Sequence, residues 1–218
     1  PLGATPSEER AFPSIQKNIM MLNTNIIVTG DSRFDQILER KTKNTKPLLP
    51  NKYQKTKNII FGSYDQVDEK IILSALSKSF PNGKEDLMKK SISIFLVPHE
   101  IDKKHIEDLR IKLQKMNFNV SLYSNINEQG NVVIVDIVGI LADLYKFNAL
   151  AYVGGGFTRG VHSVIEPAIY NCLVGFGPNY EMLDEASYMS QNKLSININN
   201  QSNLIKFIQL LEDKKQYQ

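Results

Sequence analysis

The chain has 218 residues, 42% of them apolar, which is enough to bury the core of one domain of ordinary size. Its charged fraction of 22% is ordinary and forces no disordered or fibrous reading, and a net charge of +3 suits an anionic ligand or surface without arguing for nucleic acid. Cys172 is the single cysteine, so an internal disulfide and a cysteine-rich zinc site are excluded, and a reducing compartment fits.

No apolar run approaches the ~20 residues needed to span a bilayer. Pro1-Leu2-Gly3-Ala4 lacks the layout of a secretory signal, and its resemblance to a protease-tag scar makes a fragment or an engineered chain the expectation.

In chain order, Asn25 to Thr29 reads as a strand, Gly30 to Ser32 as a turn and Phe34 to Arg40 as a helix. Residues 41–57, rich in Lys, Asn, Thr and Pro, read as a linker or exposed loop. Asn58 to Phe61 is a predicted strand, Val67 to Lys78 a helix and Ile92 to Val97 a strand. Lys103 to Met116 is a helix with Ile106, Leu109 and Leu113 on one face. Strands follow at Asn119 to Tyr123 and Val132 to Val135, then a helix at Val138 to Lys146 and a strand at Ala149 to Val153. A helix at Val164 to Tyr170, a strand at Cys172 to Phe176 and a helix at Met182 to Gln191 continue the series. A weak strand at Leu194 to Ile198 precedes an amphipathic helix from Asn203 to Glu212. Strands separated by helices make right-handed crossovers, so the fold class is α/β, with a Rossmann-like, doubly wound, mostly parallel sheet. Its ligands belong at the carboxyl ends of the strands.

The richest stretch runs from Ala151 to Tyr180, where a strand enters Gly154-Gly155-Gly156, Phe157-Thr158-Arg159-Gly160, His162 and then a helix. Successive glycines let backbone approach a ligand, and a helix N-terminus with Arg159 and His162 beside it offers donors to phosphate or carboxylate. Glycine-rich turns also occur as plain connections, and this one matches neither a Walker loop nor the dinucleotide fingerprint. Glu166 has two readings: Ser163-Val-Ile-Glu166 has capping-box spacing, and a carboxylate here also suits a ribose. Gly62-Ser63-Tyr64, Pro98-His99-Glu100, Asp136 to Gly139 and Gly177-Pro178-Asn179 each follow a strand. Asp136 is a candidate helix cap. Cys172 reads as core, and the three histidines, without close carboxylate partners, form no metal pattern.

Taken in succession, these motifs resemble the C-terminal domain of bacterial Kdo (3-deoxy-manno-octulosonic acid) transferases. They are Gly-Ser-Tyr, Pro-His-Glu, Asp-x-x-Gly-x-Leu-x-x-Leu-Tyr, the glycine run leading to His162-Ser-Val-Ile-Glu-Pro-Ala168, and Phe-Gly-Pro-Asn-Tyr. Thr29-Gly-Asp-Ser-Arg-Phe-Asp35 resembles the family's entry to that domain, and the likeness covers roughly residues 10–213. It implies one Rossmann-like half of a GT-B fold over 58–218, with 1–57 leading in and the N-terminal acceptor domain absent. Carried over by position, Arg33, Ser63, His99, Gly155, Gly156, Arg159, His162 and Glu166 surround the donor CMP-Kdo. Glu166 is expected to face the ribose, and His162 with the glycine-loop amides to face phosphate and the Kdo carboxylate. The catalytic base, and the lipid A precursor as acceptor, are expected in the absent half. No metal or other cofactor is called for, nucleic acid is not a partner, and the cytoplasmic side of the inner membrane is the expected location. Many members carry Gly-Ser-Thr-His and Arg-His-Pro where this chain has Gly62-Ser63-Tyr64-Asp65 and Pro98-His99-Glu100, so the two loops depart from the pattern. Two rivals stand beside this reading: a UDP-sugar transferase or epimerase of the same fold, and a non-catalytic domain held at a membrane surface by the lysines between Arg40 and Lys57.

Overall fold

A computed structural model describes residues 32–43, 49–126 and 129–212; the strand expected over 25–29 lies outside them. The chain divides into two compact units, 1–36 and 37–218, and the packing below is that of the second. Helix α1 (Ser32–Lys43) is followed by the short α2 (Asn51–Gln54). Then come β1 (Lys57–Tyr64), α3 (Gln66–Ser79), α4 (Lys84–Lys90), β2 (Ile92–Pro98), α5 (Lys103–Lys115), β3 (Val120–Leu122) and β4 (Val132–Ile134). The remainder is α6 (Leu141–Leu144), β5 (Leu150–Val153), α7 (Ile165–Ile169), β6 (Leu173–Phe176), α8 (Asp184–Gln191), β7 (Ser195–Asn197) and α9 (Gln201–Gln209).

The seven strands form one all-parallel sheet in the order β3-β4-β2-β1-β5-β6-β7. Every residue of β2 is buried, as expected of a strand covered on both faces. Alternation along β1 divides the core into two layers. Ile59 and Phe61 point to the layer holding Ile72 and Leu76 of α3, Leu109 of α5 and Phe207 of α9. Ile60 points to the other, with Phe95, Tyr53, Leu144, Tyr145 and Cys172. Each large side chain so buried stabilises the fold by roughly 2–3 kcal/mol.

Three expectations change. Residues 49–57 are not an exposed loop throughout: Leu49 and Tyr53 are buried, and the Tyr53 hydroxyl donates to the Gly130 carbonyl at 2.9 Å. Helix α4 is unforeseen because its sequence KEDLMKK buries only Leu87. The helix expected from Val138 shrinks to α6 and a 3-10 turn at Tyr145–Phe147, leaving Val138 82% exposed. The weak strand and the amphipathic helix expected at the end of the chain both form and close the domain: β7 pairs with β6, and α9 buries Leu204, Phe207 and Ile208. Cys172 is core as read; burial pushes its thiol up to about 12, and the sulfur lies 3.1 Å from the Asn148 carbonyl oxygen.

Candidate functional site

β1 runs at the centre of the sheet with β2 on one side and β5 on the other, so the order in which strands are added reverses there. Crevices open at such a switch point, beyond the carboxyl ends of the strands. Here the loops after β1, β2 and β5 enclose a cleft of about 570 Å³, within the range of small-molecule sites. From the β5 side it is lined by Gly155, Thr158, Arg159 and His162, and from the β2 side by His99, Glu100, Asp102 and His105. Tyr64, Asp65 and Gln66 lie between them, as β1 lies between β2 and β5 in the sheet.

Two of the expected residues meet directly. The His99 and His162 rings stack with centroids 4.5 Å apart and planes 15° from parallel. The His99 backbone N–H donates to the Tyr64 carbonyl at 2.9 Å, and its Nδ1 lies 2.8 Å from the Ser63 hydroxyl oxygen. Ser63 holds a positive φ of 53°, a backbone state that is costly for a residue with a Cβ. Burial holds the His162 imidazole below its ordinary pKa, and His99 adds to the effect; Asp68 and Asp65 oppose it.

The glycine loop is anchored from beneath. Gly155 adopts φ +89°, and a Cβ there would collide with the Gly160 carbonyl. Its N–H donates to Asp68 Oδ2 at 2.8 Å, the Asp65 N–H reaches the same oxygen at 3.1 Å, and the Tyr152 hydroxyl donates to Oδ1 at 2.5 Å. Asp68 is fully buried, and desolvation raises its pKa against the pull of these bonds. Asp65 caps α3 by accepting from Val67 and Asp68, and also accepts from the Thr158 hydroxyl. The Gly155 amide, expected to face phosphate, is therefore spent on Asp68. Gly156 packs backbone to backbone with Gly177, whose atoms a Cβ would meet at 2.7 Å.

The helix after the loop also differs from expectation. α7 is five residues long, with Val164 at its start and no side-chain cap, so the capping-box reading of Glu166 is not realised. Glu166 is half-buried and lies outside the residues lining the cleft. Burial raises its pKa, the Arg40 charge lowers it, and Asp143 raises it further. Arg40 grips Asp143 through two bonds of 3.0 Å and donates to the Gly139 carbonyl at 3.1 Å. Asp136 caps no helix and accepts instead from the backbone and hydroxyl of Ser124. Arg33 is exposed in the first turn of α1, within residues 1–36.

One histidine does have a carboxylate partner, contrary to the sequence reading: His105 Nε2 lies 2.7 Å from Glu69 Oε2, and Lys112 donates to Oε1 at 3.3 Å. Among the described residues no group of three or more His, Cys, Asp or Glu is placed to hold a metal ion, and no helix is long and apolar enough to cross a membrane.

The all-parallel sheet, its flanking helices and the switch-point cleft define a Rossmann-like half of a GT-B fold. No family model matches the chain. It is 30% identical over 164 residues to the 3-deoxy-D-manno-octulosonic acid transferase of Aquifex aeolicus, which covers 72% of this chain and 43% of that protein. The structure is similar to the C-terminal CMP-Kdo binding domain of WaaA from Acinetobacter baumannii, with a TM-score of 0.63, 16% identity, and 82% of this chain and 88% of that one covered. The UDP-GlcNAc 2-epimerase of Methanocaldococcus jannaschii shares the fold at a TM-score of 0.51 and 18% identity, over 92% of this chain and 52% of its own. The likeness to Kdo transferases carried by the motifs thus extends along most of the chain. The chain spans less than half the length of the Aquifex relative.

Sequence reasoning found the glycine loop, Arg159 and both stacked histidines. It missed Asp65, Asp68, Glu69 and His105. The first pair carried a readable signal, Asp65-Gln-Val-Asp68, with capping spacing directly after a strand. His105 carried none, since only the adjacency of β1 and β2 brings α5 to the cleft.

Proposed function

We propose that this chain is the donor-binding half of an inverting glycosyltransferase that transfers Kdo from CMP-Kdo to a lipid A precursor in lipopolysaccharide synthesis. The observation that carries this reading is the stacked His99–His162 pair beside Arg159 in the switch-point cleft, on a chain resembling Kdo transferases. Imidazoles and a guanidinium lining a nucleotide-sized cleft suit a departing phosphate, whose charge they stabilise as the glycosidic bond breaks. A base from the other half of the fold would deprotonate the acceptor hydroxyl, which attacks the anomeric carbon as CMP leaves. Glu166, with a desolvated carboxylate, is assigned to the ribose hydroxyls, and Arg33 to donor charge. Work at the cytoplasmic face of the inner membrane follows from the lipid acceptor. A docking role for the Arg40 to Lys57 lysines is less favoured, because Arg40, Lys41 and Lys52 already bind Asp143, the Ile169 carbonyl and the Gly130 carbonyl.

Calorimetric titration with CMP, using UDP and CDP as controls, tests the reading. Saturable CMP binding that weakens about tenfold in His162→Ala is expected, the loss of one charge-assisted hydrogen bond. Tighter binding of UDP than CMP would instead select the UDP-sugar reading.

A further inference from the structure

The cleft is divided by charge, and the division gives the donor a direction. The β5 loop brings Arg159 and His162 to the cleft and no carboxylate of its own, and Asp65, from the start of α3, reaches it through the Thr158 hydroxyl. At the β2 end stand Glu100, Asp102 and His105. The two long helices that start at the cleft, α3 between its two ends and α5 at the β2 end, would each attract an anion at their N-termini, but their own residues have taken those places. Asp65 accepts from Val67 and Asp68 at the start of α3, and Asp102 accepts from the His105 N–H at 2.8 Å at the start of α5. A phosphate or carboxylate placed there would meet a fixed negative charge where the helix dipole would otherwise welcome it. The β2 end therefore rejects anions and suits a neutral group with many hydroxyls, each able to donate to a carboxylate and accept from an imidazole or amide.

His105 is built for this task. It lines the cleft from the first turns of α5, and its Nε2 is held 2.7 Å from Glu69 Oε2. Glu69 is 5% exposed, and Lys112 secures its other oxygen. Oε2 is buried, and apart from this ion-pair contact it has no hydrogen-bond partner among the described residues. Tyr64, also lining the cleft, has a buried hydroxyl without a partner, and burial together with the Glu69 charge raises its pKa so that the proton stays on. With Nε2 turned to Glu69, Nδ1 is the ring nitrogen left for a ligand.

We infer that the Glu100–Asp102–His105 end of the cleft is the subsite for the hydroxyl-bearing body of the donor sugar, and that His105, oriented by Glu69, determines specificity there. This rests on the donor-binding reading above and extends it to the orientation of the ligand: phosphate toward Arg159 and His162, polyol toward α5.

The test compares CMP-Kdo with CMP on the same 218-residue chain by calorimetry. In His105→Ala the CMP-Kdo affinity is expected to fall about tenfold while the CMP affinity moves less than about twofold, and His105→Gln, which keeps a donor and an acceptor, is expected to recover part of the loss. Glu69→Gln is expected to reproduce a smaller loss confined to CMP-Kdo. In His162→Ala both ligands are expected to weaken together. Equal losses for both ligands in His105→Ala, or no loss for either, overturn the sugar subsite while leaving the donor-binding reading intact. Failure of the unaltered chain to bind CMP at all overturns both.

Discussion

Two carboxylates flank the glycine loop, and they meet opposite environments. Asp68, from α3, is fully buried and accepts from the Gly155 amide, the Asp65 amide and the Tyr152 hydroxyl. Glu166, from α7, is half-buried, and among the described residues no hydrogen bond to its carboxylate is formed, although Arg40 lies near enough to lower its pKa. A buried carboxylate whose lone pairs are filled by the protein is part of the framework; a desolvated one whose lone pairs are open fits a ligand. On the proposed reading Asp68 positions the loop while Glu166 binds the ribose, and mutation can break that contrast.

The largest effect belongs to Asp68→Ala. It strands the Gly155 and Asp65 amides and the Tyr152 hydroxyl in a buried site, and chemical denaturation is expected to show a loss of about 3 kcal/mol or more. Tyr152→Phe removes one donor and leaves Asp68 with two, so about 1 kcal/mol is expected. Equal costs for the two variants would mean that Asp68 does not anchor the loop. At Glu166 the expected outcome is reversed. Glu166→Gln keeps the shape and leaves the denaturation midpoint nearly unchanged, while CMP affinity drops about tenfold, as for a hydroxyl that loses a charged acceptor. Destabilisation without any change in CMP affinity would make Glu166 a second Asp68.

The same contrast marks what could be read from the sequence. β1 and β2 were legible because strands buried on both faces are continuous apolar runs, and the glycine loop was legible because its chemistry is contiguous from Gly154 to His162. Glu166 could not be settled, since Ser163-Val-Ile-Glu166 has the spacing of a cap; the structure starts α7 at Ile165 without one. The capping box lies instead at Asp65 and Asp68, and the second of these spends the amide that a reading from glycines alone assigns to phosphate. His105 and Glu69 meet across two helices, α5 and α3, and no local pattern encodes a contact that depends on the order of strands. α4 escaped because one buried leucine in seven residues leaves no periodicity to detect.

A smaller effect separates the two ends of the cleft by pH. Burial and the His99 ring depress the His162 pKa, so the unliganded fold favours the neutral imidazole. Its contribution to stability is present above the ordinary histidine value of about 6.5 and is lost as pH falls through the lower folded value. A bound phosphate reverses the preference by stabilising the imidazolium, so binding must take up a proton. CMP affinity is therefore expected to rise a few-fold as pH falls from about 7.5 towards about 6.5, stopping short of the range where the phosphate itself takes up its second proton, near about 6. His162→Gln supplies the reference, because any dependence that survives it belongs to the ligand or to other groups. Titrations in two buffers of different ionisation enthalpy give the proton uptake directly. Uptake that disappears in His162→Gln but persists in His105→Gln places the phosphate at the β5 end; uptake lost in His105→Gln instead would turn the ligand round in the cleft.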